Sequence, residues 1–199
     1  MIAPEVERNG IRIEPLAAKH LPDLIEHCND PALWEFTFQP NPFVSALSAQ
    51  QWLDEALRDS ASVPLAIVDV SSGCAIGSTR YLDIQTEHRK LEIGWTFLAK
   101  PYWRTHVNRT VKLLLLEYAF ESWNAVRIQF KANSSNQRSL DALQALGATQ
   151  EGTLRRFRIR ARDGAYNDVT FFSILENEWP LIKAQLQRTP QSHRDKSET

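Results

Sequence analysis

Residues Lys90 to Trp123 read KLEIGWTFLAKPYWRTHVNRTVKLLLLEYAFESW, and the fold turns on how this stretch divides. Lys90 to Leu98 alternates and predicts a strand. Ala99-Lys100-Pro101 breaks it, because Pro101 neither donates to a ladder nor continues a helix. A polar turn, Arg104-Thr105-His106-Val107-Asn108, then enters the strongest helical pattern of the chain, Val107 to Trp123. There Val111, Leu114, Leu115, Tyr118 and Ala119 make one stripe, which Leu113, Leu116 and Phe120 widen, so this helix is expected to lie covered on a sheet face. Strand, polar turn and helix start gather free backbone N–H groups at a helix N-terminus, a site that favours anions and phosphate above all.

Outward from this centre, Ile11 to Leu16 alternates as a first strand ending near Pro15, and Leu21, Leu24 and Ile25 recur at helical spacing between Ala17 and Asn29. Pro31 to Pro42 is a proline-punctuated segment rich in aromatics (Trp34, Phe36, Phe38), read as a short helical turn and a loop. Ser45 or Ser48 caps a helix that runs to about Arg58. Val63 to Val70 and Cys74 to Ile84 form a hairpin about Ser71-Ser72-Gly73, and Thr86-Glu87-His88-Arg89 turns the chain into the Lys90–Leu98 strand. Beyond the central helix, Val126 to Lys131 is a strand. Gln137 to Leu146 is a helix closed by Gly147. Arg155 to Arg162 and Tyr166 to Leu175 are strands about Asp163-Gly164, and Trp179 to Gln187 is a last helix with Pro180 in its first turn. The order β–α–α–β–β–β–α–β–α–β–β with a closing helix predicts an α+β (mixed α/β) fold: a mainly antiparallel central sheet with helices on both faces and one helical crossover in the middle. It is not the alternating order of a dinucleotide-binding fold, and neither a G-x-G-x-x-G nor a P-loop lysine motif occurs.

The chain has 199 residues, 43% hydrophobic and 24% charged, with a formal net charge of −1. That suits one domain, expected over residues 1–188, followed by a polar tail over 189–199. Neither an overall basic balance nor an acidic tail points to a nucleic-acid partner. Cys28 and Cys74 are far apart and near no His/Cys cluster, so a metal site is not expected and both thiols read as reduced. Apolar runs such as Leu113–Leu116 are too short to span a membrane. The first residues lack the basic-then-apolar pattern of a signal peptide, and a cytoplasmic protein is expected.

The pieces then meet a family. Leu91-Glu92-Ile93-Gly94-Trp95, Asn136-Gln137-Arg138-Ser139, Leu146-Gly147-Ala148, Arg162-Asp163-Gly164 and Tyr166-Asn167-Asp168-Val169 stand in an order and at spacings that resemble the GNAT superfamily of acetyl-CoA-dependent N-acetyltransferases. The branch they look like is that of the ribosomal-protein alanine acetyltransferases of the RimJ/RimL type. The resemblance runs from about Ile11 to Ile182. It implies the acyl-CoA N-acyltransferase fold, acetyl-CoA as co-substrate, and a primary amine as acceptor, either a protein N-terminus or a small molecule. It also implies a pyrophosphate loop of the form Gln/Arg-x-x-Gly-x-Gly/Ala. Here that loop reads Trp103-Arg104-Thr105-His106-Val107-Asn108, with His106 and Asn108 at the glycine positions. His and Asn are among the side chains that best tolerate the left-handed region. Arg104 and Arg109 are able to pair with phosphate oxygens.

By the same resemblance, the backbone of Thr96, Phe97 and Leu98 pairs with the pantetheine amides where this strand splays from Gln129–Lys131. Asn136 hydrogen-bonds the pantetheine arm, and Ser139 sits near the leaving thiolate as a proton donor. Glu92, on the strand face with Gly94, Thr96 and Leu98, is the candidate general base. Each has a plainer alternative: a solvated cap for Arg104 to Arg109, a loop filler for His106, a salt-bridged structural Glu92, a helix cap for Asn136 and Ser139, a simple strand end at Leu98. Arg156, Arg158, Arg160 and Arg162 alternate with apolar residues and predict one basic face, for an acidic partner, the coenzyme's 3′-phosphate or RNA, or else for the solvated protection of an edge strand. Trp34, Phe36, Phe38 and Phe43 border the acceptor pocket or belong to the core. The second functional reading is a non-catalytic protein of this fold that binds CoA or RNA. A dimer through the late strands is compatible with the pattern, which does not fix the oligomeric state.

Overall fold

A computed structural model describes residues 3–161 and 163–188. The expected C-terminal tail, 189–199, and Arg162 lie outside the described residues. The strands β1 (Val6–Arg8), β2 (Ile11–Pro15), β3 (Val63–Asp69), β4 (Ala75–Gln85), β5 (Lys90–Leu98), β6 (Arg127–Asn133), β7 (Thr149–Ile159) and β8 (Tyr166–Leu175) form one sheet in the order β1-β2-β3-β4-β5-β6-β8-β7. Every pairing is antiparallel except β5 with β6, which the central crossover makes parallel. The mixed, mainly antiparallel sheet with helices on both faces is therefore observed as expected.

Alternation along the strands sends side chains to two cores. Ala66, Val68 and Ala75 face the helices α1 (Leu21–His27) and α2 (Ala46–Arg58), packing round Phe43, Trp52 and Leu53. Ile13, Ile67, Tyr81, Leu91, Ile93, Ile128 and Phe130 face the other way, under α3 (Val107–Glu117), α4 (Gln137–Ala145) and α5 (Trp179–Gln187). Local chemistry fixes the ends. Ser45 is the cap of α2, its Oγ accepting from Ser48 N at 3.1 Å. Asn136 caps α4 through Oδ1 and Ser139 N, 3.1 Å. Gly147 follows α4 at φ +91°.

Three elements differ from expectation. β1 is additional: Asn9 and Gly10 both take positive φ, +50° and +75°, the two-residue hairpin turn an Asn-Gly pair favours, and it folds Val6–Arg8 back on β2. α3 ends at Glu117 and widens into a π-type turn over Tyr118–Ser122, where the buried Tyr81 hydroxyl donates to Leu115 O at 2.7 Å. β7 begins six residues before the expected Arg155, because it is the outer strand and almost wholly exposed, so no apolar alternation marks it.

One charge cluster supports this frame. Glu14 on β2 is 6% exposed. It accepts from Lys19 Nζ (2.5 Å), Arg12 Nε (2.7 Å) and His20 Nε2 (3.0 Å). His20 Nδ1 accepts from Ala17 N, which leaves the proton on Nε2. Burial alone would raise the Glu14 carboxyl, but these three hydrogen bonds outweigh it and hold it down to about 2, against an ordinary 4.5. A carboxyl lowered by folding stabilises the fold above its unfolded value and loses that contribution as pH falls from about 4.5 toward 2. Glu14→Gln is expected to cost about 2 kcal/mol at pH 7, discounted for the exposed Lys19, and to flatten the acid limb; urea unfolding at pH 7, 4 and 3 measures both.

Candidate active site

The sheet comes apart at its centre. β5 pairs with β6 at Lys90↔Arg127, Leu91↔Ile128 and Glu92↔Gln129 and no further. Both strands run on, β5 to Leu98 and β6 to Asn133, paired only on their outer sides, with β4 and β8. A bulge accompanies the parting: Trp95 and Thr96 together stand against Thr79, between Ser78↔Phe97 and Arg80↔Gly94, and Trp95 takes φ +53°. Arg80 Cζ lies 4.6 Å from the Trp95 ring centroid, and Phe38 meets the same ring edge-on at 5.1 Å. The bulge overturns the expected face assignment. Thr96 and Leu98 do not share the face of Glu92 and Gly94, because the extra residue shifts the alternation by one. Thr96 instead meets α3, and Phe97 packs with Trp34, Phe43 and Trp52.

The parted strands open a cleft of about 590 Å³. One end holds Glu92, 6% exposed, with Oε2 accepting from Lys131 Nζ (2.6 Å) and Gln129 Nε2 (3.3 Å). A Cβ added to Gly94 would come 3.1 Å from Glu92 Oε1, so glycine there leaves the carboxylate its space. Arg158 reaches this end from β7, with Cζ 4.1 Å from the Phe38 ring centroid; burial lowers its guanidinium and the nearby Glu92 counters this. The aromatic loop closes the wall. Phe36 O accepts from Asn133 Nδ2 (3.3 Å), and Phe38 O from Ala161 N (2.9 Å). Trp34, Phe36 and Phe38 line the cleft, whereas Phe43 is fully buried core.

The other end lies between the starts of α3 and α4. His106 precedes α3 at φ −66° without capping it through its side chain, and the amides of Asn108 and Arg109 have no acceptor among the described residues. The left-handed residue of the loop is Arg104, φ +60°, not His106 or Asn108, because α3 already begins at Val107. Thr105 Oγ1 donates to Tyr102 O at 2.7 Å. Arg104, Thr105, Asn108, Asn136 and Ser139 line the cleft together with Thr96, Phe97 and Leu98. Two of the expected residues do not: His106 is exposed and Val107 is buried core. Arg109 touches the cleft, but its guanidinium is bound to the last carbonyls of α5, those of Gln185, Leu186 and Arg188, so it is not free to pair with a phosphate.

Three cleft residues carry no role from sequence reasoning. Arg138 Cζ lies 3.6 Å from the Trp103 ring centroid, a stack that spans the mouth from α4 to the loop before α3. Partial desolvation lowers its guanidinium, Glu35 counters this, and neighbouring Arg104 adds to the lowering. Lys131 is the partner of Glu92. Lys112 is the one charged residue buried within α3. Two of them carry a signal, Lys112 as a charge inside an apolar helix and Arg138 as an arginine between the cap Asn136 and Ser139; Lys131 carries none. The arginines of β7 do not make the single expected face. A bulge between Leu154 and Arg158 interrupts the alternation, placing Arg156 over Tyr166 while Arg158 turns to the cleft and Arg160 pairs with Asp163. Both cysteines are free, and burial pushes the Cys28 thiol up to about 12, which removes it as a nucleophile. Among the described residues no His, Cys, Asp or Glu cluster suits a metal ion, and no helix is long and apolar enough to cross a membrane.

Comparison with known proteins agrees with this geometry. The family model described as an acetyltransferase (GNAT) domain matches residues 11–149. The chain is 27% identical over 176 residues to YdaF of Bacillus subtilis (strain 168), covering 84% of this chain and 90% of that protein, whose name gives ribosomal N-acetyltransferase as its assumed activity. A solved protein of T. thermophilus, described as a supposed acetyltransferase, superimposes with a TM-score of 0.85 at 38% identity over 94% of this chain and 97% of that one. Spermidine N-acetyltransferase from Vibrio cholerae, solved with CoA and spermine, shares the fold at a TM-score of 0.72 and 20% identity, over 87% and 99% of the two chains.

Proposed function

We propose, from the premise that this chain belongs to the GNAT acetyltransferase family and carries acetyl groups from acetyl-CoA to amines, that the parted β5–β6 cleft is its active site. The observation that carries this is the conjunction of a strand edge freed on β5 from Ile93 onward with a helix start beside it whose Asn108 and Arg109 amides have no acceptor among the described residues. An acyl-CoA needs both features: amides along a strand for the pantetheine arm, and helix N–H groups for its diphosphate. The amides of Thr105, Asn108 and Arg109 serve the diphosphate with Arg104 and Arg138, Arg138 standing in the place expected for Arg109. Backbone groups of Thr96, Phe97 and Leu98 serve the arm, beside Asn136, and Ser139 offers its hydroxyl to the sulfur. Glu92 takes the proton of the attacking amine. His106 and Val107 shape the loop without touching the substrate.

The acceptor is a protein N-terminal amine or a small primary amine. Lys131 and Arg158 set two cations against the single carboxylate of Glu92, so a polyamine is the acceptor this end fits least. Residues 1–188 are proposed as one domain working in the cytoplasm. β7 is the sheet edge and exposes Leu154, Phe157 and Ile159, the surface through which a homodimer is proposed to form.

Thermal and urea unfolding with coenzyme A test the reading. Ligand at about 100 times its Kd adds about 2.7 kcal/mol. Stabilisation of that size, with thiol release once an amine is supplied, is expected; an unchanged midpoint in millimolar CoA contradicts the assignment of the cleft.

A further inference from the structure

Helix α3 brings a cation into the interior of the cleft. Lys112 is 8% exposed, and its Nζ donates to Thr96 Oγ1 at 3.1 Å and stands 5.4 Å from the Phe130 ring centroid. Thr96 Oγ1 is itself anchored to Thr79 Oγ1 at 2.8 Å. No carboxylate among the described residues pairs with Lys112, and burial alone pulls its ammonium down to about 8. A buried ammonium with one neutral partner is a cost to folding. An unbranched apolar side chain of similar length would fill the same volume without it, so packing does not explain this lysine.

Its position suggests what does. Asn108 and Lys112 are four residues apart and share a face of α3, so Lys112 springs from the turn after the free amides of the helix start. Its partner Thr96 lies where β5 and β6 have already separated. Glu92 marks the amine end of the same cleft. In an acyl-CoA the thioester lies between the diphosphate and the acceptor amine, and Lys112 lines the cleft beside Thr96, on the strand edge proposed for the pantetheine arm.

We propose that Lys112 is a catalytic residue: its ammonium, held by Thr96 in the parting of the strands, meets the thioester sulfur and stabilises it as it leaves. This rests on the cleft being the acyl-CoA site. The amine lone pair bonds to the carbonyl carbon, the C–S bond breaks, and its electron pair goes to sulfur. One Nζ proton passes to that sulfur, Glu92 receives the proton of the attacking nitrogen, and solvent exchanges restore both groups. Burial that lowers the Lys112 ammonium makes it a readier proton donor to the departing sulfur than a solvated lysine. Ser139 adds a neutral hydrogen bond and no charge.

Lys112→Met tests the assignment, with purified full-length protein at pH 8. The variant is expected to melt at or above the wild-type temperature, to keep a CoA-induced stabilisation smaller by about 1.4 kcal/mol, the equivalent of tenfold in Kd, and to lose kcat by about 10²-fold. Calorimetry with CoA and with desulfo-CoA, which lacks only the sulfur, reads the contact apart from turnover. Wild type is expected to prefer CoA by about tenfold, the equivalent of one charge-assisted hydrogen bond, and Lys112→Met to bind the two equally. Equal binding of both by wild type, a preference kept by the variant, a kcat within about threefold of wild type, or a variant melting well below wild type each overturns it. Binding of neither compound to wild type overturns the cleft assignment itself.

Discussion

Glu92→Gln is expected to lower kcat by about 10²- to 10⁴-fold, the usual contribution of a positioned base, while CoA-induced stabilisation stays within about 0.5 kcal/mol of wild type. The two effects separate because the carboxylate lies at the end of the cleft proposed for the amine, away from the amides at the start of α3. Gln keeps the volume, and its carbonyl oxygen still accepts from Lys131 and Gln129, which reach Oε2 in the native protein. The fold is thus spared and the proposed proton acceptor removed. Steady-state kinetics with an amine panel, beside melting curves with CoA, measures the split. A kcat within about threefold of wild type assigns Glu92 to structure, as the counter-ion of Lys131.

Gly77→Ala is expected to carry the largest stability loss, about 3 kcal/mol or more. A Cβ at this position would stand 2.2 Å from Phe97 O, with Leu98 Cα and Cδ2 at 3.1 Å. The first is backbone, and it cannot retreat without breaking the Gly77↔Leu98 and Ser78↔Phe97 pairs that brace β5 beyond its bulge. The damage reaches function, since Phe97 and Leu98 present the edge proposed for the pantetheine arm. Urea unfolding gives the loss in stability, and the CoA shift of the surviving folded protein is expected to shrink with it. A loss below about 1 kcal/mol would mean that β5 is free to move away from β4.

Much of this arrangement is legible in the chain. The meander, the covered helix α3 and the crossover follow from alternation and from the 3.6-residue period, because each of those elements buries a face. Motif order and the resemblance single out Glu92, Thr96, Phe97, Leu98, Arg104, Thr105, Asn108, Asn136 and Ser139, and these residues line one cleft. What escaped depends on contacts between distant residues. The bulge at Trp95 arises where Arg80 and Phe38 grip the ring, and nothing in KLEIGWTFL announces that the alternation slips there. Arg109 looked like a phosphate ligand until α5 placed three carbonyls around it. β7 could not be read back to Thr149, since an exposed edge with two register shifts offers no apolar period. Lys112 shows in the chain only as a charge inside an otherwise apolar stripe, and its place in the cleft depends on Thr96 across the parted strands. The Asn9-Gly10 turn, by contrast, was a strong local signal, and β1 follows from it directly.

The most direct measurement is a crystal structure of the protein grown with coenzyme A. The expected result has the diphosphate against the Asn108 and Arg109 amides and the arm hydrogen-bonded to the backbone of Thr96 to Leu98. Its sulfur should lie beside Lys112 Nζ, with Arg138 drawn from the Trp103 ring to the phosphates. Coenzyme bound outside the gap between β5 and β6, or that gap empty at saturating CoA with Arg138 still on Trp103, would contradict the central claim.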